Sequence, residues 1–314
     1  MQRRLLLLPL TVTGFLLCLQ APAAESSKKR AESATVSSLG GGRVIIAETN
    51  GLRVIRSNGL PDHAPGQFPN AHNPNALSEQ DYTFQMTLQP RVADHLTPAD
   101  HAWFGVALNG VPFEPGTAEF WRGDRAWNYE AMSGQIDLGI DAHNAHVQPN
   151  GAYHYHGLPL GLGSTSSSKA ETEPARMRLI GWAADGFPIY DGLDHADPND
   201  AASPLRQMSS SYRLKTTARE GGPGGQPDGL FTADYEYRDG AGDLDECHGR
   251  FGVTPEYPEG IYHYHITSDF PLISRQWRGT PDSSFLKQHG PGTGRRPGKG
   301  KGKGKAKAPP PRRQ

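Results

Sequence analysis

Gly151-Ala152-Tyr153-His154-Tyr155-His156 and, later in the chain, Gly260-Ile261-Tyr262-His263-Tyr264-His265 are two versions of one segment. In both versions tyrosine and histidine alternate at a period of two, which is the spacing of a β-strand. Because alternate residues of a strand share a face, we expect the two histidines of each segment to lie side by side, with the tyrosines on the opposite face. The segment therefore predicts two equivalent strands, each carrying a pair of imidazoles.

The sequence upstream of these strands also recurs, in the same order. Gly105-Val-Ala-Leu-Asn-Gly-Val-Pro-Phe113 resembles Gly181-Trp-Ala-Ala-Asp-Gly-Phe-Pro-Ile189. A segment containing Asp and His precedes the first Y-H-Y-H strand, and Asp243-Leu-Asp-Glu-Cys-His-Gly-Arg250 precedes the second. This self-similarity predicts an internal duplication, and hence a mainly β fold in which one domain is built from two related halves. We expect a functional site at the interface between the halves.

Further strand signals lie before the first repeat. The β-branched runs Arg43–Glu48 and Leu52–Ser57 flank Asn50-Gly51, a dipeptide typical of two-residue hairpin turns, and they predict a β-hairpin. Residues 82–88 alternate apolar and polar side chains and predict another strand.

Composition sets the domain limits. We expect a signal peptide at residues 1–23, a disordered leader at 24–42, the folded domain at 43–285 and a disordered basic tail at 286–314. Within the domain, the first half is expected at about 43–160 and the second at about 175–285. Gly and Pro number 38 and 27, which favours a turn-rich fold over long helices.

The N-terminus has the features of a secretory signal. Arg3 and Arg4 precede a mostly apolar run from Leu5 to Leu19, and Ala21-Pro22-Ala23 offers a cleavage site. We therefore expect export, to the periplasm or the extracellular space. After cleavage Cys247 is the one remaining cysteine, so an intramolecular disulfide cannot form.

The formal net charge of −1 hides an acidic body and a basic tail. Nine of the 32 Lys and Arg residues lie between Arg295 and Arg313, and a lysine occupies every second position from Lys299 to Lys307. An acidic body is a poor partner for nucleic acid. The tail suits an anionic partner such as an envelope polymer.

The paired histidines have the chemistry of metal ligands. Neutral imidazole is a common ligand of zinc and copper, so His154 and His156 could hold one ion, with His146 returning as a third ligand across a turn at residues 148–151. In the second half the corresponding candidates are His263, His265, Cys247 and His248. Asp141 or Asp245 could orient a ligand imidazole. The sequence thus predicts a bound copper or zinc ion.

Other acidic stretches are weaker candidates. Asp191, Asp194, Asp197 and Asp200 recur every three residues but do not match a calcium-binding loop, so we expect solvated acidic turns there. The chain contains no phosphate-binding loop and no dinucleotide fingerprint, so no nucleotide cofactor is expected.

Three functions stay open from the residues alone. The first is metal capture without turnover. The second is a metal-dependent, hydrolase-like enzyme in which an open coordination position activates water and Asp141 or Asp245 serves as base. The third is an envelope or polysaccharide-binding module that uses the basic tail and exposed aromatic residues.

The two Y-H-Y-H tetrapeptides, together with Asn58-Gly-Leu-Pro-Asp-His63, Phe68-Pro-Asn70 and Asn73-Pro-Asn75, resemble the bacterial YHYH-domain family. The resemblance extends over about residues 57–271. It implies a secreted protein but no particular reaction. Family members carry D-E-x-N-G-R before the second tetrapeptide, and this chain has His248 where that pattern has Asn.

Overall fold

The computed structural model describes residues 33–36, 40–100, 102–163 and 175–287. The predicted signal peptide and nearly all of the predicted basic tail lie outside the described residues. The strands are β1 Ser33–Val36, β2 Arg43–Thr49, β3 Leu52–Ser57, β4 Tyr82–Thr87, β5 Thr97–Pro98, β6 Gly105–Ala107, β7 Pro112–Phe113, β8 Ala145–Val147, β9 Tyr153–Tyr155, β10 Leu179–Ala183, β11 Pro188–Tyr190, β12 Leu193–His195, β13 Leu205–Gln207, β14 Tyr212–Leu214, β15 Tyr235–Tyr237, β16 Gly249–Gly252, β17 Ile261–His265 and β18 Gln276–Trp277.

Helical structure in these ranges is confined to the short 3₁₀ segments Trp121–Gly123, Thr232–Asp234 and Ser283–Phe285. The prediction of a mainly β fold is confirmed. Within the described residues, no helix has the length and apolar character needed to cross a membrane.

Strands β1 to β4 form one antiparallel sheet in chain order. The predicted hairpin is present as β2 and β3, and both residues of its turn, Asn50 and Gly51, have positive φ angles of 52° and 77°. Such angles characterise the type I′ turn, which matches the twist of paired strands. Residues 33–36, which are predicted to belong to the disordered leader, form β1 and pair with β2.

The second sheet has eight strands in the order β16-β17-β11-β10-β6-β7-β9-β8. Its halves meet where β6 pairs with β10. From that junction outward, each half has an antiparallel pair, then a parallel pair, then an antiparallel pair. In the parallel pairs Phe113 lies opposite Tyr155, and Ile189 lies opposite Tyr264. The two halves of the sequence therefore have the same strand pairing, while their origin by duplication stays a prediction.

The repeated Asn/Asp-Gly turn supplies a polar partner for a buried tyrosine in each half. Asn109 Nδ2 donates to the Tyr155 hydroxyl at 3.0 Å, and the Tyr264 hydroxyl donates to Asp185 Oδ2 at 2.6 Å. Both tyrosines are buried in the core. A buried hydroxyl without a partner is costly, so these turns stabilise the tyrosine faces of β9 and β17. The histidines consequently project from the opposite face.

Candidate functional site

Strands β8 and β9 bring three imidazoles together. His146 lies directly opposite His154 in the antiparallel pair, and His156 follows two residues later. The Nε2 atom of His156 lies 3.0 Å from Nε2 of His154 and 3.1 Å from Nε2 of His146. We call these residues the three-histidine cluster. The structure thus places the predicted third ligand, His146, beside the predicted pair.

Contacts at the far ring nitrogens orient two of the imidazoles. His146 Nδ1 lies 3.0 Å from the Leu138 carbonyl oxygen, and His154 Nδ1 lies 3.2 Å from that of Ala152. A carbonyl oxygen accepts hydrogen bonds and cannot donate them, so the proton of each neutral ring belongs on Nδ1. The Nε2 lone pairs of His146 and His154 then both point toward His156. Lone pairs that converge in this way are the arrangement that a metal ion requires.

A carboxylate borders the cluster. Glu114, which directly follows β7, places Oε2 3.3 Å from His154 Nε2 and accepts a hydrogen bond of 2.6 Å from Gln148 Nε2 at the same oxygen. Its other oxygen, Oε1, is paired with the ammonium of Lys287. The Lys287 Nζ atom also lies 4.4 Å from the centre of the Trp103 ring. Glu114 therefore places a carboxylate oxygen beside one imidazole nitrogen of the cluster, that of His154.

Burial keeps the cluster uncharged. His154 and His156 are only 1% and 3% exposed. Desolvation, reinforced by the charges of neighbouring histidines and of Lys287, lowers the pKa of both imidazoles well below the usual value. Burial also lowers the pKa of His146 and raises that of Glu114, although Lys287 and Gln148 oppose the second effect. At neutral pH the imidazoles are therefore in the deprotonated form that binds metals.

The second Y-H-Y-H strand forms a different group, which we call the Asp194 cluster: Asp194, His263 and His265. Asp194 Oδ2 lies 2.9 Å from His263 Nε2 and 3.1 Å from His265 Nε2. All three side chains are buried. Burial raises the pKa of Asp194, but the contacts with the two histidines and with Arg250 outweigh this effect and hold the pKa well below its usual value.

The two clusters lie near opposite edges of the eight-stranded sheet, on the β8–β9 and β16–β17 pairs. The two clusters therefore do not lie where the halves meet, because the halves join through β6 and β10. Each half instead carries its own cluster.

The structure does not bring Cys247 and His248 into either cluster. His248 has a positive φ of 58° and corresponds to Asn144, whose φ is 60°, in the turn before the equivalent strand. The ring of His248 contacts the Thr267 hydroxyl at 2.8 Å, and burial lowers its pKa to about 3. Cys247 is buried, and desolvation raises the pKa of its thiol. Both residues sit in a buried turn. The His248 carbonyl oxygen accepts a hydrogen bond of 3.1 Å from the backbone N–H of His265, but the His248 ring is not part of either cluster.

Asp141 and Asp245 lie on the tyrosine side of their strands. Asp141 Oδ2 accepts a hydrogen bond of 2.6 Å from the Tyr153 hydroxyl, and Asp245 Oδ1 accepts one of 2.9 Å from Tyr262. Both carboxylates also accept backbone N–H bonds from their own turns. They therefore contact tyrosine hydroxyls, and not the ligand imidazole that the sequence predicts for them.

The sequence did not predict Asp194 as a cluster member, nor three residues that lie beside the clusters: Glu114, Arg250 and Lys287. The interpretation of Asp194 as part of a solvated acidic turn is wrong, since this side chain is 1% exposed and contacts two histidines. Glu114 had a usable signal, because it directly follows the repeated Gly105–Phe113 segment. Asp194 and Lys287 had none, because their partners are distant in the chain.

Comparison with known families gives one match. The model of the YHYH protein family matches residues 83–279, which include both clusters and the whole eight-stranded sheet. The same comparisons found no match among curated proteins and none among solved structures. The matched region covers more than half of the chain and contains both tetrapeptides that carry the resemblance in the sequence. The chain is a member of the YHYH protein family.

Proposed function

We propose that this protein is an exported metal-binding protein that holds a copper or zinc ion at the three-histidine cluster. The observation that carries the proposal is the approach of three Nε2 atoms to 3.0 and 3.1 Å, with two of the rings oriented by carbonyl oxygens. Imidazole nitrogen suits both metals, and three such ligands are a common set for either.

Glu114 supports the same conclusion. Its Oε2 atom lies 3.3 Å from the Nε2 atom of His154, which carries no proton when the ring proton is on Nδ1, so the two atoms repel each other unless a cation or a proton lies between them. A metal ion held by the three imidazole nitrogens would have this carboxylate beside it. The three nitrogen donors are neutral and Glu114 is the nearby acidic group, which suits a divalent cation or Cu⁺.

Burial of the cluster favours binding over turnover. A hydrolytic metal centre needs an open coordination position that substrate can reach. His154 and His156 are almost fully buried, and Glu114 is only 8% exposed. We therefore propose retention of a metal ion, with the protein scaffold excluding solvent from it.

The test is metal content after loading. The full chain lacking only the predicted signal peptide is saturated separately with Zn²⁺ and with Cu²⁺, dialysed against metal-free buffer near neutral pH, and measured by elemental analysis. We expect bound metal in the wild-type protein and loss of it in His146→Ala and His156→Ala. His72→Ala is the matched control, because His72 is exposed and contacts Asp137 outside the cluster.

A second readout separates binding from misfolding. A metal that binds only the folded state stabilises it, by about 2.7 kcal/mol when free metal is at a hundred times its dissociation constant. We expect this increase in the wild type and in His72→Ala, and none in His146→Ala. A wild-type protein that retains neither metal after dialysis would refute the proposal.

We also propose that residues 1–23 direct export and that the basic tail contacts an anionic envelope polymer. The support is the charge pattern of the sequence. Fractionation of cells that express the full chain, beside a chain deleted for residues 290–314, tests both statements. We expect the two proteins in the same exported fraction, with weaker envelope retention of the deleted chain. Equal retention would refute a role for the tail.

A further inference from the structure

Arg250 occupies in the second half the position that His146 occupies in the first. His146 lies opposite His154 in the β8–β9 pair, and Arg250 lies opposite His263 in the β16–β17 pair. His154 and His263 are the first histidines of the two Y-H-Y-H strands. The residue that completes the three-histidine cluster is thus replaced by a cationic side chain in the Asp194 cluster.

The guanidinium is bound to the carboxylate at the centre of that cluster. Arg250 Nε donates to Asp194 Oδ2 at 2.6 Å, the same oxygen that faces His263 and His265. Arg250 Nη2 donates to the His195 carbonyl oxygen. Two hydrogen bonds from a strand residue therefore fix the cation in place. Its side chain is only 11% exposed.

The histidines of this cluster are also oriented by carbonyl oxygens. His263 Nδ1 lies 2.9 Å from the Ile261 carbonyl oxygen and His265 Nδ1 lies 2.6 Å from that of Asp191. These contacts direct the Nε2 atoms of both rings at Asp194. In the three-histidine cluster, carbonyl contacts likewise direct the Nε2 atoms of His146 and His154 at His156. The guanidinium supplies charge that a metal ion would otherwise supply.

We infer that the Asp194 cluster is the counterpart of the metal centre in which the Arg250 guanidinium takes the place of the ion, so that the chain binds one metal ion and not two. This inference rests on the proposed function. A divalent cation at the Asp194 cluster would have to share one carboxylate oxygen with a guanidinium that is only 11% exposed. Like charges at such short range repel strongly where water is largely excluded.

The three-histidine cluster differs in this respect, although Lys287 lies nearby. Lys287 pairs with Glu114 Oε1, whereas Oε2 is the oxygen that faces His154. The lysine side chain is 21% exposed and follows the last 3₁₀ segment, so its ammonium can turn toward solvent. Arg250 is held within the sheet and has no such freedom.

Metal stoichiometry tests the inference. The full chain without its signal peptide is titrated with Zn²⁺ alone and followed by calorimetry and elemental analysis. We expect one equivalent in the wild type, two in Arg250→His, and one in Arg250→Lys, which keeps the charge. Arg250→Gln removes the charge without adding a ligand, so we expect it to bind a second zinc ion with lower affinity than the first. This variant also tests the inference if Arg250→His does not fold.

The outcomes separate the two proposals. Two equivalents in the wild type, with one lost in His146→Ala and the other in His263→Ala, would overturn this inference and leave the proposed function intact. One equivalent in folded Arg250→His and Arg250→Gln would likewise overturn it. No zinc in the wild type would overturn the stoichiometry inferred here, whereas the proposed function is refuted only if the wild type retains neither zinc nor copper.

Discussion

The Tyr153 hydroxyl, at the start of β9, donates a hydrogen bond of 2.6 Å to Oδ2 of Asp141, which lies in the turn before β8. Tyr153 is buried. Its ring lies on the core side of β9, and His154 projects from the opposite side of the same strand. This bond therefore ties the tyrosine face of the strand to the turn that leads into β8. The equivalent bond in the second half joins Tyr262 to Asp245.

We expect Tyr153→Phe to lower the free energy of unfolding by about 1–3 kcal/mol, because a hydrogen bond to a charged group is lost and the carboxylate keeps only its backbone donors. Chemical denaturation measures the change. Tyr262→Phe is the matched substitution and should cost a similar amount. Metal retention should be unchanged in both variants, and loss of metal in Tyr153→Phe alone would show that the bond also shapes the cluster.

The buried carboxyl of Asp185 should make stability depend on pH. Desolvation raises its pKa to about 6, although hydrogen bonds from Tyr264 and from the backbone of Gly279 and Phe187 oppose the shift. The unfolded chain releases this proton at a lower pH than the folded chain does. The contribution of Asp185 to stability is therefore present below about pH 4 and is lost as pH rises to about 6.

Asp185 is equivalent to Asn109 in the first half, so Asp185→Asn gives both halves an asparagine at this position. We expect the stability of the wild type relative to this variant to fall by roughly 3 kcal/mol between pH 4 and pH 7, since about two pKa units are involved. Urea denaturation of both proteins across this range measures the difference. A difference that stays constant or grows with pH would contradict the assignment.

Arg219 binds two carboxylates of very different burial. Its Nε and Nη2 atoms donate to Asp234 at 2.7 Å, and Asp234 is fully buried, whereas the Asp228 side chain is 51% exposed. We expect Asp234→Ala to destabilise the fold by about 3–5 kcal/mol, because it leaves a nearly buried guanidinium without its main partner. Asp228→Ala should cost at most about 1 kcal/mol. Equal costs in thermal or chemical denaturation would show that burial does not govern this pair.

Lys287 and Glu114 should have opposite effects on metal affinity. We expect Lys287→Met to tighten zinc binding roughly tenfold, about 1.4 kcal/mol, since it removes a positive charge beside the three histidines. Glu114→Gln should weaken binding by at least as much, because it removes the carboxylate. Competition with a zinc chelator measures both constants. Weaker binding in Lys287→Met would mean that the lysine supports the site.

Local signals predicted much of the fold. The Asn50-Gly51 turn, the β-strand at Tyr82–Thr87 and the placement of His146 opposite His154 all depend on residues that are near one another in the chain. Strand periodicity and turn chemistry act over such distances, so they can be read without the tertiary structure. The same signals predicted that the histidines of each Y-H-Y-H strand share a face.

The composition of the two clusters could not be predicted in this way. Asp194 reaches His263 and His265 because β17 pairs with β11, and β12 follows β11 closely. Lys287 pairs with Glu114 although the two residues are 173 positions apart in the chain. These contacts depend on sheet order, and sheet order follows from packing of the whole core.

The alternation of tyrosine and histidine by itself determined which face of each strand carries imidazoles, because side chains in a strand point to opposite sides in turn. Only the tertiary structure decided what those imidazoles meet: a third histidine and Glu114 in one half, Asp194 and Arg250 in the other. The physical reason is that burial turns a shared strand pattern into two different electrostatic environments, through groups that the chain brings together only on folding.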